Sequence, residues 1–160
     1  MNSIRNNLRL IISGFSESEN RRYAGLFTSN DDTEFNYTIK FVNTLEDSIS
    51  LFHDYHPDLY LIDIRNEYGF ELCQYIRDEE GNRHTGIIFG HSRDQIVDIG
   101  HSEKLVECLE IGADDFIRIQ SPSKEMLART KAVLRLKVMT DELRSVNHKL
   151  EILSLSLIHI

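Results

Sequence analysis

Residues 57–63, Pro57-Asp58-Leu59-Tyr60-Leu61-Ile62-Asp63, decide the fold. A proline and a carboxylate open the stretch, an unbroken apolar run follows, and an aspartate closes it. An apolar run this short, with a start and a stop, reads as a strand buried on both faces. Such strands belong to parallel sheets covered by helices, and ligands there gather at the carboxyl ends of the strands. Asp63 stands at such an end, so its neighbours decide what chemistry the chain can do.

Working outward, strand and helix patterns alternate. Leu8 to Ile12 is a short apolar strand broken by Ser13-Gly14. Ser16 and Glu19 form a capping box and open a helix with Tyr23, Leu26 and Phe27 inward. Phe35 to Val42 reads as a second strand, and Asn43 or Thr44 caps a helix with Leu45, Ile49 and Phe52 on one face. Beyond Asp63, Arg65 to Gly69 is a loop, and Phe70 to Arg77 is a helix burying Leu72, Cys73 and Ile76. Gly86 to Phe89 is a fourth strand, followed by a long polar loop from His91 to His101. A helix from Ser102 turns Leu105, Cys108 and Leu109 inward and stops at Gly112. Asp115 to Ile119 is a fifth strand, and a last helix begins at Ser123 with Met126, Leu127, Val133 and Leu134 facing the domain. The order predicts an α/β fold: a doubly wound, five-stranded parallel sheet of flavodoxin-like type with an extended C-terminal helix. Ser13-Gly14-Phe15 lacks the repeated glycines of a dinucleotide loop.

The 160 residues suffice for one domain with an appendage, and 28% charged with 41% apolar residues is ordinary for a soluble protein. A net charge of −8 argues against a nucleic-acid or acidic-membrane surface. Cys73 and Cys108 fall in helical patterns without metal-type spacing and read as buried thiols. The N-terminus has no signal-peptide pattern, and no apolar run approaches transmembrane length, so a cytoplasmic protein is expected.

Two stretches carry a family resemblance. His56 to Asp63 resembles the phosphoacceptor strand of bacterial response-regulator receiver domains. Gly112-Ala113-Asp114-Asp115-Phe116-Ile117, followed by Ser123 to Arg129, is similar to the family's fifth strand and the entry to its last helix. The resemblance implies phosphoryl transfer from a histidine kinase to the central aspartate, Asp63, with a divalent cation neutralising the phosphoryl oxygens. It also implies an acidic pair after the first strand, a Ser/Thr after the fourth and a lysine ending the fifth.

The sequence departs at nearly all of those places. Ser13 and Gly14 occupy the acidic-pair positions, His91 the Ser/Thr position and Ile119 the lysine position. Asp63 and the aromatic Phe116 carry over, Phe116 most simply as core. Arg65, two residues beyond Asp63, stands where it can pair with it. His91 with Asp63 would supply two ligands, which do not make a metal site. The expectation is a pseudo-receiver without catalytic residues, metal or cofactor; magnesium would be needed only if Asp63 were a working phosphoacceptor. The bland alternative makes Asp63 a strand-end residue that caps its loop.

Leu136, Met139, Leu143, Val146, Leu150 and Leu153 recur at alternating spacings of three and four, a heptad seam. It predicts a coiled coil that makes the chain a homodimer, against the alternative of a helix folded back on its own domain. The wording of residues 140–144 and 150–154 is similar to the linkers of PleD-like diguanylate cyclase response regulators. The expected division is a receiver-like domain at 1–137, a helical linker at 138–154 and a non-native tail at 155–160. Back-translated, that tail matches the end of a transposon adaptor used in sequencing libraries, so a longer parent protein is expected. The expected role is a phosphorylation-incompetent dimerisation adaptor for a diguanylate cyclase, with a histidine kinase or another receiver upstream. The alternative is an active phosphoacceptor, the input half of a transcriptional regulator.

Overall fold

The buried run becomes the third of five strands in a computed structural model, which describes residues 7–28, 34–81, 83–91 and 99–158. Strands β1 (Asn7–Ser13), β2 (Asn36–Val42), β3 (Leu59–Asp63), β4 (Gly86–His91) and β5 (Asp115–Arg118) alternate with helices. These are α1 (Glu17–Thr28), α2 (Leu45–Tyr55), α3 (Gly69–Glu79), α4 (Ile99–Glu110) and α5 (Ser123–Ile158). All pairings are parallel and the order is β2-β1-β3-β4-β5, the doubly wound order expected. Ser16 and Glu19 make the anticipated capping box, and Thr44 caps α2 by accepting from the Asp47 N–H.

Every residue of β3 is buried. Because successive side chains point to opposite faces, Leu59 and Leu61 pack towards α1 and α5, with Tyr23, Phe27, Val133 and Leu134. Tyr60 and Ile62 pack on the other face with Leu72, Cys73, Ile76 and Cys108. Each such side chain, fully buried, contributes about 1.5–3 kcal/mol. Tyr60 also donates its hydroxyl to the Ser48 carbonyl at 2.8 Å, and burial pushes its phenol up from the ordinary value.

Several boundaries differ from the sequence expectation. His91 is the last residue of β4 rather than the first of a loop, because its backbone pairs with β5. Helix α4 starts at Ile99, not Ser102, so His101 lies in the helix. Residues 92–98 of the expected loop lie outside the described residues. Leu109 is 47% exposed rather than inward, since Cys108 and the half-buried Leu105 take the inner face of α4. Gly112, at φ 111°, ends the segment as expected.

The Gly112-Ala113-Asp114 turn owes its fixed shape to a charge cluster. Asp114 accepts from Arg77 Nη2 at 3.0 Å and from the Ile87 N–H at 2.9 Å, and meets His84 Nε2 at 3.0 Å. Arg77 donates in addition to the carbonyls of Gly112 and Thr85 and to Glu80. One arginine thereby ties α3 to the entries of β4 and β5. Asp114→Ala strips a largely buried pair and leaves Arg77 with Glu80 as its remaining carboxylate partner. It is expected to cost about 3 kcal/mol in urea unfolding, whereas a surface control such as Glu17→Ala stays within about 0.5 kcal/mol.

Burial also raises both thiols, Cys73 to about 11 and Cys108 to about 12. Because the thiolate is the reactive form, neither cysteine should react with a thiol reagent near neutral pH in the native protein, and both should react in denaturant. Mass spectrometry of the labelled protein checks this.

Candidate functional site

Asp63 is 3% exposed, at the carboxyl end of the central strand. The chain turns sharply there: the Asn66 N–H donates to the Asp63 carbonyl at 3.1 Å, and the Gly69 N–H to Asn66 at 3.2 Å. That tight loop brings Arg65 back over the carboxylate. Arg65 Nε donates to both Asp63 oxygens at 3.0 Å, Nη2 donates to Oδ2 at 2.7 Å, and the Arg65 N–H donates to Oδ1 at 2.8 Å. The pairing expected from the sequence is thus present and is charge-assisted throughout.

The same Nη2 reaches across to α1 and donates to both oxygens of Glu19 at 2.8 Å. Burial alone would raise the Glu19 carboxyl. Hydrogen bonds from Arg65 and Ser16 outweigh it and hold the group below its ordinary value. The two carboxylates in turn push the Arg65 guanidinium further towards its charged form. Sequence reasoning assigned Glu19 only to the capping box and left Asp63 with no second carboxylate nearby. Its position in the first turn of α1 was the signal, since that turn lies beside the end of β1.

Ser13 and Gly14 have been absorbed into structure. The Ser13 hydroxyl is fully buried, 3.0 Å from Ser48 Oγ and 2.8 Å from Tyr68 OH. Gly14 has φ 89°, and a Cβ there would stand 2.3 Å from Asn66 Nδ2. A carboxylate at position 14 would meet both backbone strain and a filled space. Ile119 turns its side chain into the core, while Arg22 of α1 donates to the carbonyls of Ile119 and Ser121. His91 is buried with its ring against Phe116, centroids 5.9 Å apart at 69°, and Phe116 itself is only half-buried. Tyr23 is buried in the core with a hydroxyl that has no hydrogen-bond partner among the described residues, its phenol raised chiefly by burial.

The residues around Asp63 do not fit a magnesium ion. Its two oxygens and those of Glu19 are engaged by one guanidinium, position 14 has no room for a ligand, and Ser13 is committed elsewhere. Among the described residues no group of three or more histidine, cysteine or acidic side chains is placed to hold a metal. A depression of about 390 Å³ opens beside the pair, lined by Gly14, Asp63, Arg65, Asn66, Glu67 and Tyr68.

At the other end of the sheet α5 leaves the domain as one unbroken helix. Lys137, 6% exposed, pairs with Asp58 at 3.1 Å and with Asp141. Asp141 accepts from the His84 N–H, and Arg144 donates to the Gly81 carbonyl at 3.3 Å. Contact with the domain therefore runs past residue 137. The seam residues lie on another face: Leu136, Met139, Leu143, Val146, Leu150 and Leu153 are all exposed, Leu143 at 63%. No helix among the described residues is long and apolar enough to cross a membrane.

No family model matches the chain. It is 32% identical over 105 residues to the sensory transduction protein BceR of Halalkalibacterium halodurans, covering 64% of this chain and 42% of BceR. It is 29% identical over 90 residues to the response regulator PleD of Caulobacter vibrioides, covering 55% of this chain and 18% of PleD. The chain thus spans less than half the length of these curated relatives. The signal receiver domain of an HD domain-containing protein from Pseudomonas fluorescens Pf-5 matches with a TM-score of 0.71 at 14% identity, over 89% of this chain and 97% of that domain. Strand order, the aspartate closing the central strand and sequence similarity to BceR and PleD agree: the chain has the fold of signal receiver domains and is similar in sequence to response regulators.

Proposed function

We propose that this receiver accepts no phosphoryl group on Asp63 and works as a dimerisation adaptor, setting the spacing of two copies of an output domain. The observation that carries this reading is the Arg65 guanidinium, which holds both oxygens of the would-be acceptor and those of Glu19. Phosphoryl transfer here is electrostatic positioning, and the side chains present spend their charges on each other instead. Arg22 supports the reading from the opposite side, since it ties the end of β5 to α1 where a pairing lysine is missing.

The stalk supports the adaptor role. Lys137, Asp141 and Arg144 dock one face of α5 on the domain, while the seam residues face solvent on another. A second copy covering that seam would bury a leucine or methionine at nearly every turn, each contributing about 1.5–3 kcal/mol. The similarity to PleD, a response regulator, together with the linker wording, favours a diguanylate cyclase as the output domain. Upstream, a histidine kinase or another receiver would be the partner, in the cytoplasm. A second reading keeps Asp63 as a phosphoacceptor feeding a transcriptional regulator. The similarity to ycf27 of Guillardia theta, named a probable transcriptional regulator, and the retention of Asp63 favour it.

Two experiments test the proposal. Incubated with a small phosphodonor and magnesium and then weighed intact, the protein is expected to show no added mass. A gain of one phosphoryl group that Asp63→Asn abolishes would establish the second reading instead. For assembly, the parent chain is expected to sediment as a dimer and Leu143→Asp or Leu150→Asp as monomers, because each loses about 2 kcal/mol or more and buries a charge. A parent chain that stays monomeric at high concentration would argue against the adaptor.

A further inference from the structure

Resting on the reading of the stalk as a dimer seam, we propose that the second copy runs antiparallel along α5, in one register centred between Arg144 and Ser145. The exposed seam places Leu136, Leu143 and Leu150 at one core position of the heptad, and Met139, Val146 and Leu153 at the other. Apolar matching alone allows either direction: each column faces itself in a parallel pair and the other column in an antiparallel pair. The residues flanking the seam decide, because flanking charges set the orientation of paired helices.

One flank carries Arg135, Glu142 and Lys149, and the other carries Thr140, Asn147 and Ser154. Three and four residues from Glu142 stand Val138, Met139, Ser145 and Val146; around Lys149 stand Ser145, Val146, Ile152 and Leu153. Neither charge therefore has an opposite charge within reach along its own helix. In a parallel pair each flank meets the other flank of the second copy, so Glu142 faces Asn147 and Lys149 faces Ser154. No charge is matched. In an antiparallel pair each flank meets its own kind. Setting Leu143 against Val146 of the second copy also sets Leu136 against Leu153 and Met139 against Leu150, covering the whole seam. The same register brings Glu142 against Lys149 on both sides of the two-fold axis, and Thr140 against Asn147, which can hydrogen-bond.

The charges also exclude the neighbouring registers. A slip of one heptad in one direction sets Glu142 against Glu142 and Arg135 against Lys149, and in the other sets Lys149 against Lys149. Like charges so placed penalise both slips. The domain leaves the seam clear, since Lys137, Asp141 and Arg144 dock on another face of α5. At 1.5 Å rise per residue, Ile158 of one copy and Ile158 of the other stand about 40 Å apart along the axis. The stalk would thus hold whatever follows it at opposite ends rather than side by side.

The test uses the full chain with single added cysteines, the native thiols being buried. Under mild oxidation, Leu136→Cys mixed with Leu153→Cys is expected to give a disulfide-linked dimer, and neither variant alone to link to itself. In the antiparallel pair each is about 25 Å from its own counterpart along the axis. Self-linking of either variant overturns the proposal. Where a cysteine in the seam breaks the dimer, a spin label on Ser154→Cys replaces it. A separation of about 30 Å is expected, and one near the helix spacing of about 10 Å overturns the antiparallel pair. Glu142→Lys is expected to weaken dimerisation about tenfold or more, and Lys149→Glu added to it to restore the parent affinity. A Glu142→Lys dimer as tight as the parent, or a double variant no tighter than the single, overturns the register. A parent chain that sediments as a monomer overturns the dimer reading itself. A dimeric parent whose Leu136→Cys links to itself overturns the orientation alone.

Discussion

Leu59–Asp63 is buried on both faces and hydrogen-bonded along both edges, to β1 on one side and β4 on the other. A strand in that position has no solvent to satisfy its backbone, so its neighbours must supply every partner. That requirement places β3 between two paired strands; both pairings are parallel, and parallel pairing requires a crossover connection for each step. The helices then cover both faces, which is why each apolar side chain of β3 finds a core to enter. The remaining freedom lies at the strand's two ends, where polar side chains can stand.

Both ends carry an aspartate, and each is matched by a cation from elsewhere in the chain. At the entry, Asp58 accepts from the Arg9 N–H at 2.8 Å and pairs with Lys137 of α5 and Arg83. At the exit, Asp63 is held by Arg65, and through it by Glu19. The entry pair orients the departing stalk, and the exit pair closes the pocket where receiver chemistry is otherwise done. Burial makes both obligatory, since an ionised carboxylate in a covered position needs its partner more than an exposed one does. The exposed ion pairs of α5, such as Arg129 with Glu125 at 3.4 Å, carry much less weight.

The positions at which the family resemblance implies functional groups have structural partners here. Where an acidic pair would stand, Ser13 joins a hydroxyl cluster and Gly14 makes room for Asn66. Where a lysine would stand, Ile119 joins the core and Arg22 satisfies the carbonyls it leaves behind. Two arginines thereby cross-link α1: Arg65 ties it to Asp63, and Arg22 ties it to the segment after β5. A pocket wired in this way has its polar groups committed before any ligand arrives.

The sequence alone determined the strand and helix order, because short apolar runs and amphipathic stretches reflect local periodicity. It also determined the buried aspartate, the residues standing at the acidic-pair and lysine positions, the Asp63–Arg65 pairing two residues apart, and the regular spacing of the exposed apolar residues along α5. It misjudged the start of α4 and the face of Leu109, where a polar stretch hid a helix start and adjacent apolar residues competed for one side. Only the tertiary structure decided that Glu19 joins Asp63, since the Arg65 contact spans 46 positions and depends on α1 lying beside the carboxyl end of β3. The same holds for Arg22 at the end of β5, 97 positions away, and for Lys137 at Asp58. Such contacts leave no periodic trace in the chain. A charged side chain on a helix surface reads as solvated until the fold brings a buried partner within reach.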